Sequence, residues 1–480
     1  MVILRMILLK KNNMKKNKPI DLFNQPKAKV IKESKPKKEK KSVDRDPSVT
    51  LNWQQEEAII LLKEFLKDDT KFEFTIKGKG GTGKSYLIRE LFKRKKQQKD
   101  EWYVPNTVIG VCVTHMARLN LMQSIPNTTT YASAANLTMM YDPMGNVYFM
   151  EKYSNHAFSE LKTYKYVVVD ECSMFDENMM KNIRKCCDSK AKIIYLGDQN
   201  QLPPIEAKGD HDSPTFDIPD QYELTIKMRQ DDDDHIALLG DEVCEHIKGD
   251  NDLSFLNDLK QQFDVEKKKG YSITTIANVI PSYVSNFNKG LDVRITSYRN
   301  KRIEQLNTMI RTFLWDDLSS EKYVPGEYIV MNDQYSPNRD ILAYCGQSFR
   351  VQSLYIETIE FVECFMLVVP KWNRRPKSKE TVTLQVPTDK GYVVYKRHLE
   401  KLKASAVITK EWYEYSAFKG QFANISYGYA MNNYKIQGST LKGCYVDLSD
   451  ILDVKPISNK RKLQAFYVGC SRPTDFLAIF

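Results

Sequence analysis

The run Gly78-Lys79-Gly80-Gly81-Thr82-Gly83-Lys84-Ser85 places glycines, a lysine and a hydroxyl at the spacing that cradles a polyphosphate. Glycines let backbone N–H groups approach phosphate oxygens, and a helix opening at the loop adds a favourable dipole. In that chemistry Lys84 reaches the β- and γ-phosphates and the Ser85 hydroxyl binds Mg²⁺. Further along, "YVVVDE" ends in Asp170-Glu171. An apolar strand that delivers two carboxylates at its C-terminal end puts Asp170 in the Mg²⁺ shell. Glu171 is then free to orient and deprotonate a water, so the pair points to hydrolysis rather than to binding alone.

The surrounding text says what holds these residues. "FEFTIKG" reads as a strand ahead of the loop and "KSYLIRELFKRK" as a helix behind it. "NTVIGVCVT", "YKYVVVDE" and "KIIYLGD" are further apolar strands bounded by helical or loop segments. That alternation predicts an α/β fold with a doubly wound parallel sheet. A second set follows, with strands "DVRITSY" and "GCYVDL" and helices "NKRIEQLNTMI" and "KLQAFYVGCS". Between its halves five short β-like runs, the last of them "GYVVYK", predict a small inserted barrel. The expected division is a disordered basic tail over 1–48 and a first domain over 49–210. The second domain is expected over 211–324 and 416–480, interrupted by the β insert at 325–415.

The formal net charge of the 480 residues is +11, and it is unevenly placed. Residues 1–50 hold 15 Lys/Arg against 5 Asp/Glu, which leaves 57 against 56 for the rest. Any anion-binding surface on the body must therefore come from local arrangement. The tail lacks the apolar content to fold, and reads either as a tether near nucleic acid or as a solubilising segment. Its start, "MVILRMILLKK", has the wrong order for a secretory signal; Met14 as the true start is an equal explanation. Within the tail, Pro19–Phe23 ("PIDLF") looks like the peptides that dock replication proteins onto sliding clamps, with chance spelling the favoured alternative. Nine scattered cysteines without a C-x-x-C pair predict reduced thiols, no zinc site and a cytoplasmic setting, the host's if the source is viral. Asp231–Asp234 reads as a solvated acidic loop.

"LNWQQEEA", the phosphate loop, "VTHMARLNL", "YVVVDE", "GDQNQLPPI", "ELTIKMRQ", "YGYAMNNYKIQGST" and "AFYVGCSR" occur in this order from Leu51 to the C-terminal region. Together they resemble the motif set of superfamily 1 helicases, and within it the Dda/RecD-like group. The resemblance implies two RecA-like domains, with a small β-hairpin insert in the first (about 138–160) and an SH3-like β-barrel insert in the second. It also implies ATP as the nucleotide, with Gln55 reading the adenine edge; an exposed helical glutamine is the competing reading, since Gln54 is adjacent. Gln201 would sense the γ-phosphate or the water. Arg229 and Arg472 would reach the γ-phosphate and stabilise transition-state charge. Lys435, Gln437 and Gly438 would line the same cleft, or relay its state to the nucleic-acid track.

For the nucleic-acid track the resemblance implies Thr114 and His115 as phosphate contacts, a strand-end cap being the alternative. Thr130 and Tyr131 stand where the group has Thr-Ile-His, and Tyr434 again replaces a histidine. The two tyrosines are consistent with base stacking in place of hydrogen bonding, and they put detailed transfer of the group's contacts in doubt. Around the turn Asp142–Asn146, Tyr148 or Phe149 would be a strand-separating wedge, or else tucked aromatics of a plain surface hairpin. The partners implied are single-stranded DNA and duplex junctions, with 5′→3′ travel in replication, recombination or repair of a phage or bacterium. Two other readings stand beside this one: an RNA helicase or RNA-stimulated NTPase, and an ATP-switched scaffold that does not unwind.

Overall fold

The computed structural model describes residues 51–98, 107–141, 147–151, 159–204, 211–228, 234–261, 270–337, 340–371 and 380–480. The basic tail with Pro19–Phe23, Arg229, Asp231–Asp233 and the turn residues 142–146 lie outside these.

The first unit is built on β1 (Glu73–Gly78), β2 (Val108–Cys112), β3 (Thr128–Thr130), β6 (Tyr166–Asp170), β7 (Lys192–Gly197) and β8 (Gln221–Leu224). They form one six-stranded sheet in the order β3-β2-β6-β7-β1-β8, all neighbours parallel. Alternate side chains enter separate cores, as the strand period requires. Val168, Ile194 and Leu196 pack on one face, and Val167, Val169, Ile193 and Tyr195 on the other. A separate antiparallel pair, β4 (Leu137–Tyr141) with β5 (Val147–Glu151), falls inside the expected hairpin insert.

The expected break at residue 210 is corrected by β8, which pairs with β1 at Thr75↔Gln221. Beyond it, Met228 N–H donates to Gly81 O at 2.9 Å, so the first unit keeps the chain through Met228. Nothing in "YEL" marks this edge strand: its burial depends on a neighbour some 150 residues earlier in the chain.

The second unit has β9 (Tyr271–Ile273), β10 (Val293–Ser297), β17 (Ala430–Asn432), β18 (Leu441–Val446) and β19 (Pro473–Ile479) in the parallel order β17-β10-β18-β19-β9. Its faces divide likewise: Cys444, Val446 and Leu477 on one side, Val293, Ile295 and Tyr445 on the other. The helices His235–Lys248 and Asn459–Cys470 pack together over the first of these faces.

The insert holds β11 (Tyr328–Met331), β12 (Ser348–Arg350) and β16 (Ile425–Tyr427) in one antiparallel sheet, and β13 (Ser353–Ile359), β14 (Val362–Pro370) and β15 (Thr381–Pro387) in another. Ile329, Phe349, Leu367 and Leu384 share its core. Strand pairing among the described residues gives two sheets rather than one closed barrel, and β16 carries the insert past the expected limit at 415. "GYVVYK" is a correction: it lies in the helix Asp389–Thr409, capped by the Thr388 hydroxyl accepting from Gly391 N–H. Two valines and two tyrosines favour a strand locally, but the cap and the continuing charged turns decide. Only glycine fits at 391, since a Cβ there would lie 1.9 Å from Glu363 O.

Candidate nucleotide cleft between two parallel-sheet units

Parallel register brings the C-terminal ends of β1, β6 and β7 to one edge: Ile76 is beside Leu196 and Cys112 beside Asp170. From these ends come the phosphate loop, Asp170-Glu171 and Asp198, the arrangement from which open α/β sheets bind ligands. A cleft of about 630 Å³ runs along this edge, lined by Gly80, Gly81, Gly83, Lys84 and Ser85 on the loop, and by Asp170, Glu171 and Gln201. The second unit closes it with Gly438, Ser439, Thr440 and Arg472.

The loop's glycines are needed for geometry. Gly81 and Gly83 have φ of 87° and 82°, in the left-handed region. A Cβ on Gly83 would meet Gln55 Nε2 at 2.6 Å. Lys84 Nζ donates to Gly78 O at 2.6 Å and Lys79 O at 3.1 Å, so the ammonium is held across the loop mouth. Gly78 and Thr82 shape the loop rather than line the cleft; the Thr82 hydroxyl donates to Lys79 O at 2.9 Å.

Ser85 Oγ donates to Asp170 Oδ2 at 3.4 Å. Burial, and after it the Glu171 charge, raises the Asp170 carboxyl above the usual range. A hydroxyl and carboxylate oxygens are hard donors that fit Mg²⁺, which relies on few protein ligands plus phosphates and water. Among the described residues no group of three or more His, Cys, Asp or Glu forms a protein-only metal cage. Glu171 takes φ 55°, unusual for a non-glycine residue, and turns out of the strand end toward the cleft. Its Oε1 lies 3.3 Å from where a Cβ on Gly438 would sit, so the two units meet at this carboxylate.

Gln55 is fully buried, which removes the exposed-helix reading. Its Oε1 accepts from Asn52 N–H at 3.2 Å in a capping box, and its Nε2 donates to Thr82 O at 3.1 Å. Arg472, 6% exposed, donates from Nη2 to Gln201 Oε1 at 2.7 Å, while its Nε has no partner among the described residues. A buried guanidinium nitrogen without an acceptor fits an anion in the cleft.

The other expected cleft residues are not all brought in. Lys435 donates to Asn332 Oδ1 at 2.8 Å, toward a separate cavity at the base of the insert. Gln437 is buried with both amide atoms unpartnered among the described residues, and Gly438 to Thr440 form the wall instead. Asp198 and Tyr467 went unnamed although they stand inside "GDQNQLPPI" and "AFYVGCSR". Asp198 Oδ2 accepts from Gly80 N–H at 3.0 Å and from the Tyr467 hydroxyl at 2.7 Å. The signal that could have found Asp198 was a carboxylate directly after an apolar strand, as at Asp170.

On the expected track, Thr114 and Thr130 cap the short helices that follow them, accepting from Ala117 and Ser133 N–H. The His115 ring lies 4.5 Å from that of Tyr344 in the insert, and burial first, then Arg118, lowers its pKa to about 4. It is therefore neutral at pH 7 and brings no charge to a phosphate. Tyr131 sits edge-on to Phe175 at 5.5 Å and its hydroxyl accepts from Asn182. Tyr434 packs near Tyr298 at 6.5 Å. Both rings are engaged by protein rather than standing free as platforms. Tyr148 and Phe149 lie in β5, opposite Met140 and Met139.

Residues 50–260 match the AAA domain family. The chain is 23% identical over 289 residues to the ATP-dependent DNA helicase dda of Enterobacteria phage T4, covering 58% of this chain and 60% of that protein. The chain is thus similar in sequence to the Dda helicase and, over 41 residues at 46% identity, to a RecD subunit of Buchnera aphidicola. The chain is also 24% identical over 507 residues to the uncharacterized protein R530 of Acanthamoeba polyphaga mimivirus, covering 89% and 99% of the two. Its fold matches the Pif1 helicase from Bacteroides solved in complex with ADP-AlF3 and ssDNA, with TM-score 0.50, 14% identity and 90% and 92% coverage. No described helix is long and apolar enough to cross a membrane.

Proposed function

We propose that this protein is an ATP-dependent DNA helicase that travels 5′→3′ on a single strand and unwinds duplex in replication, recombination or repair. The observation that carries this is the composition of the cleft. Lys84, Ser85, Asp170 and Glu171 come from one unit, and Arg472 and Gly438 from the other. Triphosphate bound there touches both units, so binding favours their closure and hydrolysis their release. In this reading Glu171 takes the water's proton, Gln201 positions the water and Arg472 stabilises charge on the γ-phosphoryl group. Ser85 and Asp170 would hold Mg²⁺, which would supply charge neutralisation on the phosphates. Similarity to a phage DNA helicase supports DNA as the polymer; the direction is what the resemblance of the motif set implies.

The test is strand displacement on duplexes with only a 5′ or only a 3′ single-stranded tail, with Lys84→Ala as control. Unwinding from the 5′ tail alone is expected. Unwinding from the 3′ tail alone would overturn the direction, and hydrolysis without unwinding on either would overturn the helicase reading.

A further inference from the structure

Asp198, 1% exposed, ends the strand beside the phosphate loop. One of its oxygens collects three donors: Gly80 N–H at 3.0 Å, the Tyr467 hydroxyl at 2.7 Å and Gln201 Nε2 at 3.4 Å. The other accepts from Asn200 N–H at 3.0 Å and Asn200 Nδ2 at 3.2 Å. Gly80 and Gln201 belong to the first unit and to the cleft wall. Tyr467 is on the helix Asn459–Cys470 of the second unit, 3% exposed, and its ring packs beside Gly240. Five residues on, the same helix end supplies Arg472, which grips Gln201. One helix of the second unit thus holds the 198–201 loop of the first at two points.

We infer, on the basis of the proposed function, that Tyr467 is a positioning residue which makes alignment of the phosphate loop and Gln201 depend on closure of the two units. A buried carboxylate redistributes its hydrogen bonds when a donor is withdrawn. With the Tyr467 hydroxyl present, Asp198 shares its charge among three donors. Without it, the same oxygen draws harder on Gly80 N–H and on the Gln201 amide, moving both away from the γ-phosphate and the water. Burial and the Asp198 charge hold the Tyr467 hydroxyl protonated, as a donor must be. The hydroxyl, which also accepts from Gly80 N–H at 3.4 Å, is not among the groups that line the cleft, so its effect falls on turnover and not on capture of ATP.

The experiment is steady-state ATP hydrolysis with and without an oligothymidylate strand, comparing the unaltered chain, Tyr467→Phe, Asp198→Asn and the double variant. Tyr467→Phe is expected to lower strand-stimulated kcat about tenfold, the range for losing a hydrogen bond to a charged group, while KM for ATP stays within about twofold. The double variant is expected to be no worse than the poorer single one, because Asp198→Asn already removes the charge through which the Tyr467 hydroxyl acts. Unchanged stimulated kcat in Tyr467→Phe, a loss confined to KM, or additive losses in the double variant would overturn the inference while leaving the helicase reading intact. A fall in melting temperature that accounts for the lost turnover would also overturn it. No strand-stimulated hydrolysis in the unaltered chain would overturn the proposed function, and this inference with it.

Discussion

Arg472 Nη2 donates to Gln201 Oε1 at 2.7 Å, joining the C-terminal end of a helix in one parallel-sheet unit to the loop after a strand of the other. The guanidinium is buried, and its Nε meets no acceptor among the described residues. Arg472→Ala is therefore expected to reduce kcat for ATP by roughly 10³-fold or more, with a much smaller change in KM. Steady-state hydrolysis measures this, and a loss below tenfold would remove Arg472 from the reaction.

Glu171 reaches the cleft from a left-handed backbone conformation directly after β6. Glu171→Gln keeps the shape and removes the base. Hydrolysis should fall by about 10²–10⁴-fold, while binding of a fluorescent ATP analogue persists. Loss of binding to the same degree would mean that the carboxylate builds the site rather than serving the chemistry.

Gln55 couples the first helix to the phosphate loop through its two amide atoms. Gln55→Ala should cost about 0.5–2 kcal/mol of stability, the range for losing a helix cap. Preference for ATP over GTP should weaken in the same variant if the amide also reads the base. Urea melts and paired kinetics separate the two effects.

His115 has its pKa lowered to about 4 from the model-peptide value 6.5, first by burial and then by Arg118. Between those values the unfolded chain binds a proton that the folded chain refuses. Stability from this group is thus complete above pH 6.5 and is lost as pH falls toward 4. His115→Phe preserves a ring against Tyr344 and should show a shallower fall in urea midpoint over that window. Identical pH slopes for the two proteins would contradict this.

Arg311 and Glu327 form a buried pair, 8% and 0% exposed, at 2.9 Å, with Tyr429 donating to the same carboxylate at 2.7 Å. Arg311→Met leaves Glu327 uncompensated and should cost about 3–5 kcal/mol, measured by chemical denaturation. A cost below about 1 kcal/mol would mean that water reaches the carboxylate.

The phosphate loop, the Asp170-Glu171 strand end and the individual strands of the two parallel-sheet units were legible because each is written in consecutive residues. A loop's glycines, the helix it opens and the apolar alternation of its strand are set by local backbone geometry and by period. The same sequence determined that the chain carries two carboxylates beside a phosphate loop, and hence what chemistry it is equipped for. Tertiary structure alone decided which residues share the cleft. "GYVVYK" became helix because its cap and following turns outweighed local β preference. Lys435 turned to Asn332, and Asp198 met Gly80 and Tyr467, because distant segments were brought together. Hydrogen bonds between residues a hundred or more positions apart depend on how distant segments and the two units pack, and no local period or spacing carries that information.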